Sequence, residues 1–403
     1  MTRRLFRTEA TDQGSRVTPL ELFFDLVFVF ALTQVTAYLA DHLSWHGLLQ
    51  GVFIIGLMWW GWVGYAWLGN VVRADEGACR VVMFAAMATM FVFALTIPEA
   101  FDDLPGGLSG PVVIALCYLV FRLLHFALFF LVAHDDATLR RQLLRYLPSQ
   151  LVATAVLLVA AGLDGPAQTA LWGLALLADY GGTMLSGSNW RLSSVPHFAE
   201  RHGLILIVAL GESIVAIGVG IAELPISWPI IVAAALGLAL AGCLWWAYFD
   251  VTSLAAEHAL AAAPDEERPR LARDAYTYLH MPMVVGIVLL ALGLKKVLEY
   301  VGDTAHHDLA DPLKGIGLYA LFGGVALYLL GHVGFKLRAL RSFSRARTVA
   351  ATVTLAAIPL AVTLPALASL GLLTAIVVAL IAFEVIRHAE QRAMVRHQNA
   401  EHA

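Results

Sequence analysis

Apolar segments of about 20 residues follow one another through almost the whole of this 403-residue chain. A helix of that length can cross the hydrocarbon core of a bilayer. Only 14% of the residues are charged and 60% are hydrophobic, whereas a soluble domain carries roughly 25% charged residues. The sequence therefore predicts an all-α integral membrane protein and excludes a soluble globular fold.

We expect about twelve transmembrane helices, at residues 19–40, 47–68, 78–98, 111–133, 143–162, 167–185, 203–222, 228–250, 276–298, 314–335, 348–365 and 367–388. With this count, most of the 26 lysines and arginines fall in connections on the same side as the N-terminus. Basic residues concentrate in cytoplasmic loops, so both termini are predicted to be cytoplasmic, in a bacterial inner membrane. The first apolar segment is long enough to span and contains acids, so no cleavable signal peptide is expected. Residues 251–275 are interpreted as a solvated linker.

The two halves of the chain share short matches in the same order. The matched positions are Gln34 with Glu212, Trp59–Trp60 with Trp245–Trp246, His125 with His332 and Asp179 with Glu384. An even number of helices in each half makes such repeats parallel. The predicted organisation is a cytoplasmic segment (1–18), a six-helix repeat (19–185), a cytoplasmic connection (186–202), a second six-helix repeat (203–388) and a cytoplasmic tail (389–403).

Two carboxylates lie one helical turn apart at the start of the first segment. Glu21 and Asp25 are four residues apart and therefore share a helix face. Glu21 also completes a capping box with Thr18, in which it only closes the start of the helix. Asp25 lies deeper, so it should face the protein interior or water. It is either part of an ion site or one side of a salt bridge, to Arg122 or to an arginine at a cytoplasmic helix end.

A third carboxylate lies deeper in the membrane. Glu212 is nine residues into the seventh predicted segment and is followed by Ser213. That position is near the bilayer midplane, where a carboxyl group is suited to exchange a proton with a transported species. A neutral acid that is hydrogen-bonded to a neighbouring helix is the structural alternative.

Other polar and aromatic side chains inside the segments are candidates to line a path. The sequence Trp59-Trp60-Gly61-Trp62 is within the second segment, and its indole N–H groups need acceptors such as Asp25 or Gln34. Arg122, midway through the fourth segment, needs a carboxylate from Asp25, Asp179 or Glu212. His125 and His332 are either proton relays or hydrogen-bonded packing residues. Helix packing is the alternative for the tryptophans.

Several classes of function lack their motifs. The chain has no Walker motif and no dinucleotide fingerprint, and the 14 histidines and three cysteines show no metal-ligand spacing. We therefore expect no cofactor, no bound metal and no nucleic acid. The expected partners are membrane lipids and an unidentified small ion or solute, with a homo-oligomer as a further option.

The chain resembles the low temperature requirement A family of bacterial membrane proteins. The resemblance rests on residues 17–31 (VTPLELFFDLVFVFA), on the tryptophan-rich second segment and on residues 201–213 (RHGLILIVALGES). It implies a multi-span membrane protein in which Glu21, Asp25 and Glu212 belong to recognisable motifs. The family name records growth in the cold and implies no activity.

Our leading hypothesis is a secondary transporter or channel-like protein, and not an enzyme, in which these carboxylates bind a small ion or a proton. Arg122 would balance charge, and the tryptophans would line the path. An intramembrane enzyme of lipid or isoprenoid metabolism is a second hypothesis, although no nucleophile or metal-ligand set accompanies the acids. The third is a structural or sensory membrane protein needed for growth in the cold.

Overall fold

The computed structural model describes residues 11, 14–133, 136–185, 190–222, 224–387, 389–390 and 392. Its helices are α1 (Pro19–Asp41), α2 (Trp45–Val71), α3 (Gly77–Thr96), α4 (Gly110–Val132), α5 (Ala137–Ala160), α6 (Gly165–Leu185), α7 (Val195–Gly220), α8 (Trp228–Phe249), α9 (Thr252–Ala261), α10 (Arg268–Leu271), α11 (His280–Gly302), α12 (Ile316–Leu340), α13 (Arg345–Ala356), α14 (Ile358–Ala361) and α15 (Ala366–Arg387). Most of the predicted cytoplasmic N-terminal segment and tail lies outside the described residues.

Ten helical stretches of the described chain are long and apolar enough to cross a membrane. Many of them expose large apolar side chains, such as Phe23 and Leu26 on α1 and Val81 on α3, which suits contact with lipid tails. The protein is thus a multi-pass helical membrane protein, as the apolar segments predicted.

Two of the twelve predicted spans are not among these ten stretches. The sixth is a 21-residue helix, α6, whose buried positions include polar Gln168, Thr169 and Asp179. The eleventh is divided into α13 and α14 at Ala357, just before Pro359. Proline lacks the N–H that would continue the helical hydrogen bonds, so the helix is interrupted there.

Two compact units make up the chain. The first contains the described residues up to Tyr38 together with His46–His202 and Asp265–Arg270. Its central helix is α2. In the apolar 18-residue part of this helix, 72% of the residues are buried. This burial follows from a helix that is apolar all round, a pattern typical of a core helix.

The second unit contains Leu39–Trp45, Gly203–Pro264 and the residues from Leu271 onward. Its central helices lie in Arg268–Gly302 and Ile316–Leu340. In the apolar 18-residue part of each stretch, 72% and 78% of the residues are buried. The segment 251–275, expected to be a solvated linker, is largely helical instead. Thr252, Ala256 and Leu260 on α9 are buried one turn apart, so this amphipathic stretch packs on the unit.

Glycines bring α11 and α12 into backbone contact. A methyl group added at Gly286 would lie 2.6 Å from the carbonyl oxygen of Gly324, and one at Gly324 would lie 2.6 Å from the oxygen of Gly286. One added at Gly293 would lie 2.6 Å from Cα of Leu321. Small residues permit this approach in membrane helices, where van der Waals packing holds helices together. We call this contact the glycine seam.

Candidate functional site

Two polar helix faces meet in the first unit. Glu21 and Asp25 lie four residues apart on α1, and His197 and Arg201 lie four residues apart on α7. Because residues four apart in a helix share a face, each pair contacts the other over one turn. These four residues and Trp62 are each no more than 2% exposed. We call these five residues the acid–base cluster.

Asp25 is held by two donors. Nη1 of Arg201 donates to Oδ2 of Asp25 at 2.7 Å, and the indole N–H of Trp62 donates to Oδ1 at 2.9 Å. The Arg201 guanidinium also lies over the Trp62 ring, 5.3 Å from its centroid. Nη1 further donates to the backbone oxygen of Glu21 at 3.0 Å. A buried charge pair is stable only when such additional hydrogen bonds satisfy its remaining polar atoms.

The hydrogen bonds of Asn70 assign the tautomer of His197. Oδ1 of Asn70 accepts from the backbone N–H groups of Ser193 at 2.7 Å and Ser194 at 3.3 Å. The amide nitrogen of Asn70, which only donates, therefore faces Nδ1 of His197 at 3.4 Å. Nδ1 is then the acceptor, and the proton is on Nε2, 2.9 Å from Oε1 of Glu21. A neutral imidazole thus donates directly to a buried carboxylate.

Glu21 also closes the start of α1, as the capping box predicted. Its Oε2 accepts from the backbone N–H of Thr18 at 2.9 Å and from the Thr18 hydroxyl at 3.0 Å. The structural and the functional interpretations of Glu21 are therefore compatible, because Oε2 caps the helix while Nε2 of His197 lies 2.9 Å from Oε1 and 3.1 Å from Oε2.

A second group of polar side chains surrounds Arg122, also in the first unit. Of the three carboxylates considered as partners of Arg122, Asp179 is the one that lies beside it, with Oδ1 at 3.4 Å from Nη2. Tyr146 and Tyr118 both donate to Asp179, the first at 3.0 Å to Oδ1. Arg122 donates to the Tyr146 hydroxyl and, at 3.0 Å, to the backbone oxygen of Trp60. We call Tyr118, Tyr146, Arg122, Asp179 and Trp60 the tyrosine cluster.

The tryptophans of α2 donate hydrogen bonds in both clusters. Trp60 and Trp62 are two residues apart, which places them on nearly opposite faces of the helix. Trp62 donates to Asp25, whereas the Trp60 indole N–H donates to the Tyr146 hydroxyl at 2.9 Å. Trp59 stacks on Trp62, with 5.2 Å between ring centroids. Helix α2 therefore lies between the two clusters and contributes to each.

The other predicted site residues lie elsewhere. His125 is buried on α4 one turn from Arg122, and its ring is 5.5 Å from that of Tyr65. Gln34 is half-buried on α1, about 14 Å farther along the helix than Asp25. Glu212 and Ser213 are buried in the part of α7 that belongs to the second unit, where the Ser213 hydroxyl donates to the oxygen of Leu210 at 2.6 Å.

His332 belongs to a buried ion pair of the second unit. Arg347 on α13 forms two hydrogen bonds of 2.8 Å with Glu384 on α15. Its Nη1 also lies 2.5 Å from Nδ1 of His332 on α12. Arg347 thus gives this unit a buried arginine–carboxylate pair.

His197, Asn70, Tyr146 and Arg347 were not predicted as site residues. The expected start of the seventh span was residue 203, because four of the six residues at 197–202 are charged residues or histidines, whereas α7 begins at Val195. One signal was available: the four-residue spacing of His197 and Arg201 repeats that of Glu21 and Asp25. Two facing helices can pair their side chains along one turn when the acidic residues on one helix and the basic residues on the other have the same spacing.

No group of three or more His, Cys, Asp or Glu side chains within the described ranges is arranged to hold a metal ion. In the acid–base cluster, two carboxylates are accompanied by one guanidinium and one imidazole, so the cluster is suited to exchange protons and to hold small ions.

Replacing Trp62 by phenylalanine should lower stability measurably. The change removes the N–H donor of Asp25 but keeps an aromatic ring beside Arg201. A buried charged acceptor that loses one donor costs about 1–3 kcal/mol. The thermal midpoint in detergent should fall for Trp62→Phe and stay unchanged for Trp228→Phe, whose side chain is 80% exposed. Equal midpoints would show that the indole contributes only packing.

Comparison with known proteins places these residues in a family context. The sequence model for the bacterial low temperature requirement A protein matches residues 16–382. An uncharacterized protein of Rhizobium meliloti (strain 1021) is 30% identical over 349 residues, covering 82% of this chain and 79% of the relative. No solved structure matches the chain.

Proposed function

This chain belongs to the bacterial low temperature requirement A family, and from that premise we propose that it is a secondary transporter or channel-like protein for a small ion or solute. The acid–base cluster takes part in proton exchange coupled to that movement. Asp25 and Glu21 bind the proton or ion, His197 passes the proton, and Arg201 balances the charge.

The direct contact between Glu21 and His197 carries this proposal. A carboxylate and a neutral imidazole meet at 2.9 Å in helices that are apolar enough to cross a membrane. Ionisable side chains are expensive at such positions and characteristically mark ion or proton pathways. Helix capping alone would need only the contact between Glu21 and Thr18.

The finer organisation is part of the proposal. We propose twelve spans in two parallel six-helix repeats, with both termini in the cytoplasm and the protein in the inner membrane. The pairs Arg122–Asp179 and Arg347–Glu384 support the repeat, because each unit has a buried arginine bound to one of the carboxylates that the sequence matched. Alternating access in parallel-repeat transporters uses such paired halves.

Flux in proteoliposomes tests the proposal. Purified protein is reconstituted with a pH-sensitive dye inside the vesicles, and a panel of small cations and anions is applied under pH and potential gradients. We expect saturable flux with the wild type. Proton movement should fall to the rate of protein-free vesicles in Glu21→Gln, Asp25→Asn and His197→Gln, since none of the new side chains can exchange a proton at that position. Glu212→Gln tests the predicted midplane site in the same assay.

The control variant is Asp102→Asn, which removes an exposed loop carboxylate of the same unit and should leave the flux unchanged. Two results would contradict the proposal. One is the absence of flux for every ion although the protein is folded, which would favour a lipid enzyme or a structural role. The other is flux in all three cluster variants at the wild-type rate, which would leave the cluster as a structural element.

A further inference from the structure

The second unit has an open cavity of about 980 Å³ at one end of its helices. The C-terminal ends of α8, α12 and α15 and the N-terminal turns of α13 surround it. All of the lining residues belong to the second unit. The cavity does not include the residues of the acid–base cluster, and the transport proposal assigns it no role.

The cavity carries an excess of positive charge. Five basic side chains line it and only two carboxylates, Asp250 and Glu384. Each carboxylate is already paired, Asp250 with Arg392 and Glu384 with Arg347. The remaining basic residues, Lys336, Arg345 and Arg387, therefore have no carboxylate of the cavity lining to balance them. A complementary occupant is an anion.

The walls of the cavity are apolar and continue onto the outer surface of the helices. Val349 and Val353, one turn apart on α13, are 60% and 45% exposed, and Phe383 on α15 is 49% exposed. Leu380 lines the cavity beside them. A free inorganic anion would gain nothing from these side chains, whereas an acyl chain would bury them. The charge pattern also predicts that this basic end is cytoplasmic, where anionic lipids attract Lys and Arg.

We propose that this cavity binds one anionic phospholipid. Its phosphate head group contacts Lys336, Arg345 and Arg387, and its acyl chains lie along Val349, Val353 and Phe383. The volume reaches the upper end of the range of small-molecule sites, which suits a head group with the first part of its chains.

The test compares three added probes. Full-length protein in a non-ionic detergent receives phosphatidylglycerol, phosphatidylcholine or inorganic phosphate, and the thermal midpoint is followed as each is titrated. We expect only phosphatidylglycerol to raise the midpoint of the wild type. Each basic contact with an anionic lipid is worth about a fivefold factor in affinity. The triple variant Lys336→Gln, Arg345→Gln, Arg387→Gln should therefore bind about 100-fold more weakly.

A matched variant removes three exposed arginines of the first unit, Arg140, Arg141 and Arg145, each replaced by glutamine. It should respond to phosphatidylglycerol as the wild type does. An equal response of the two triple variants would overturn the assignment of the site. A shift with inorganic phosphate alone would show a free-anion site, and an equal shift with phosphatidylcholine would show nonspecific lipid contact; either result overturns the proposal.

Photocrosslinking keeps the proposal testable if the triple variant fails to fold. Phosphatidylglycerol with a photoreactive acyl chain is added to the wild type, and the labelled peptides are mapped. Labels concentrated in α13 and α15 support the site. Labels spread evenly over the apolar helices, or lost equally to competition by phosphatidylcholine, contradict it.

Discussion

Replacing Arg201 by methionine is expected to destabilise the protein by about 3–5 kcal/mol. The change removes the donor that is 2.7 Å from Asp25 and leaves, among the described residues, only the indole N–H of Trp62 as a donor to this buried carboxylate. It also removes the donor to the backbone oxygen of Glu21. Equilibrium unfolding in mixed micelles, followed by tryptophan fluorescence, measures the loss.

Two further variants separate charge from packing. Arg191→Met removes an exposed arginine of the same unit and should change stability by less than about 0.5 kcal/mol. The double variant Arg201→Met, Asp25→Asn should recover part of the loss, because the second change removes the uncompensated charge. If the double variant is no more stable than Arg201→Met, the guanidinium acts through packing and the charge argument is wrong.

Replacing Gly324 by alanine should have the other large effect, a loss of about 3 kcal/mol or more. The added methyl group would lie 2.6 Å from the oxygen of Gly286 and 2.6 Å from the nitrogen of Leu290. Both are backbone atoms of α11, so no side chain can rotate away and the two helices must separate. Thermal unfolding in detergent measures the change.

The neighbouring residue provides the control for this prediction. A methyl group added at Gly323 would meet no atom within 4 Å. Gly323→Ala should therefore be neutral or more stable by up to about 1 kcal/mol, since alanine favours the helix. Equal midpoints for the two variants would show that α11 and α12 can separate at little cost, in contradiction to the seam.

The membrane class of the fold could be predicted from the sequence because hydropathy acts locally along the chain. The exact bounds and interruptions of the helices could not be predicted in this way. Pro359 lies in a predominantly apolar stretch, and composition alone does not show that it interrupts a span. The polar first turns of α7 shifted its expected start by eight residues, from Val195 to 203. The α9 helix was missed because two of its three buried positions, Thr252 and Ala256, are polar or small.

Of the ionisable residues in the acid–base cluster, only the two carboxylates could be predicted as site residues from the sequence. The need of Asp25 for an internal cation followed from its depth, and an arginine at a helix end was one of the two options. Arg201 could not be selected over Arg122, because no single sequence states which helices are neighbours. Likewise, the indole of Trp62 was expected to need an acceptor, but the partition of Trp60 and Trp62 between two clusters depends on α4, α5 and α6 packing around α2.

The glycine seam has a mechanical consequence for the second unit. Backbone atoms of α11 and α12 meet at Gly286, Gly293 and Gly324, so the two helices cannot slide past each other at these points without separating. The π-helical stretch Ala272–Tyr278 comes directly before α11 and holds a wider turn than an α-helix does. Its side chains pack on the same pair, with the Tyr276 ring 5.1 Å from that of Phe335 on α12, so we expect this wide turn to move together with the two helices.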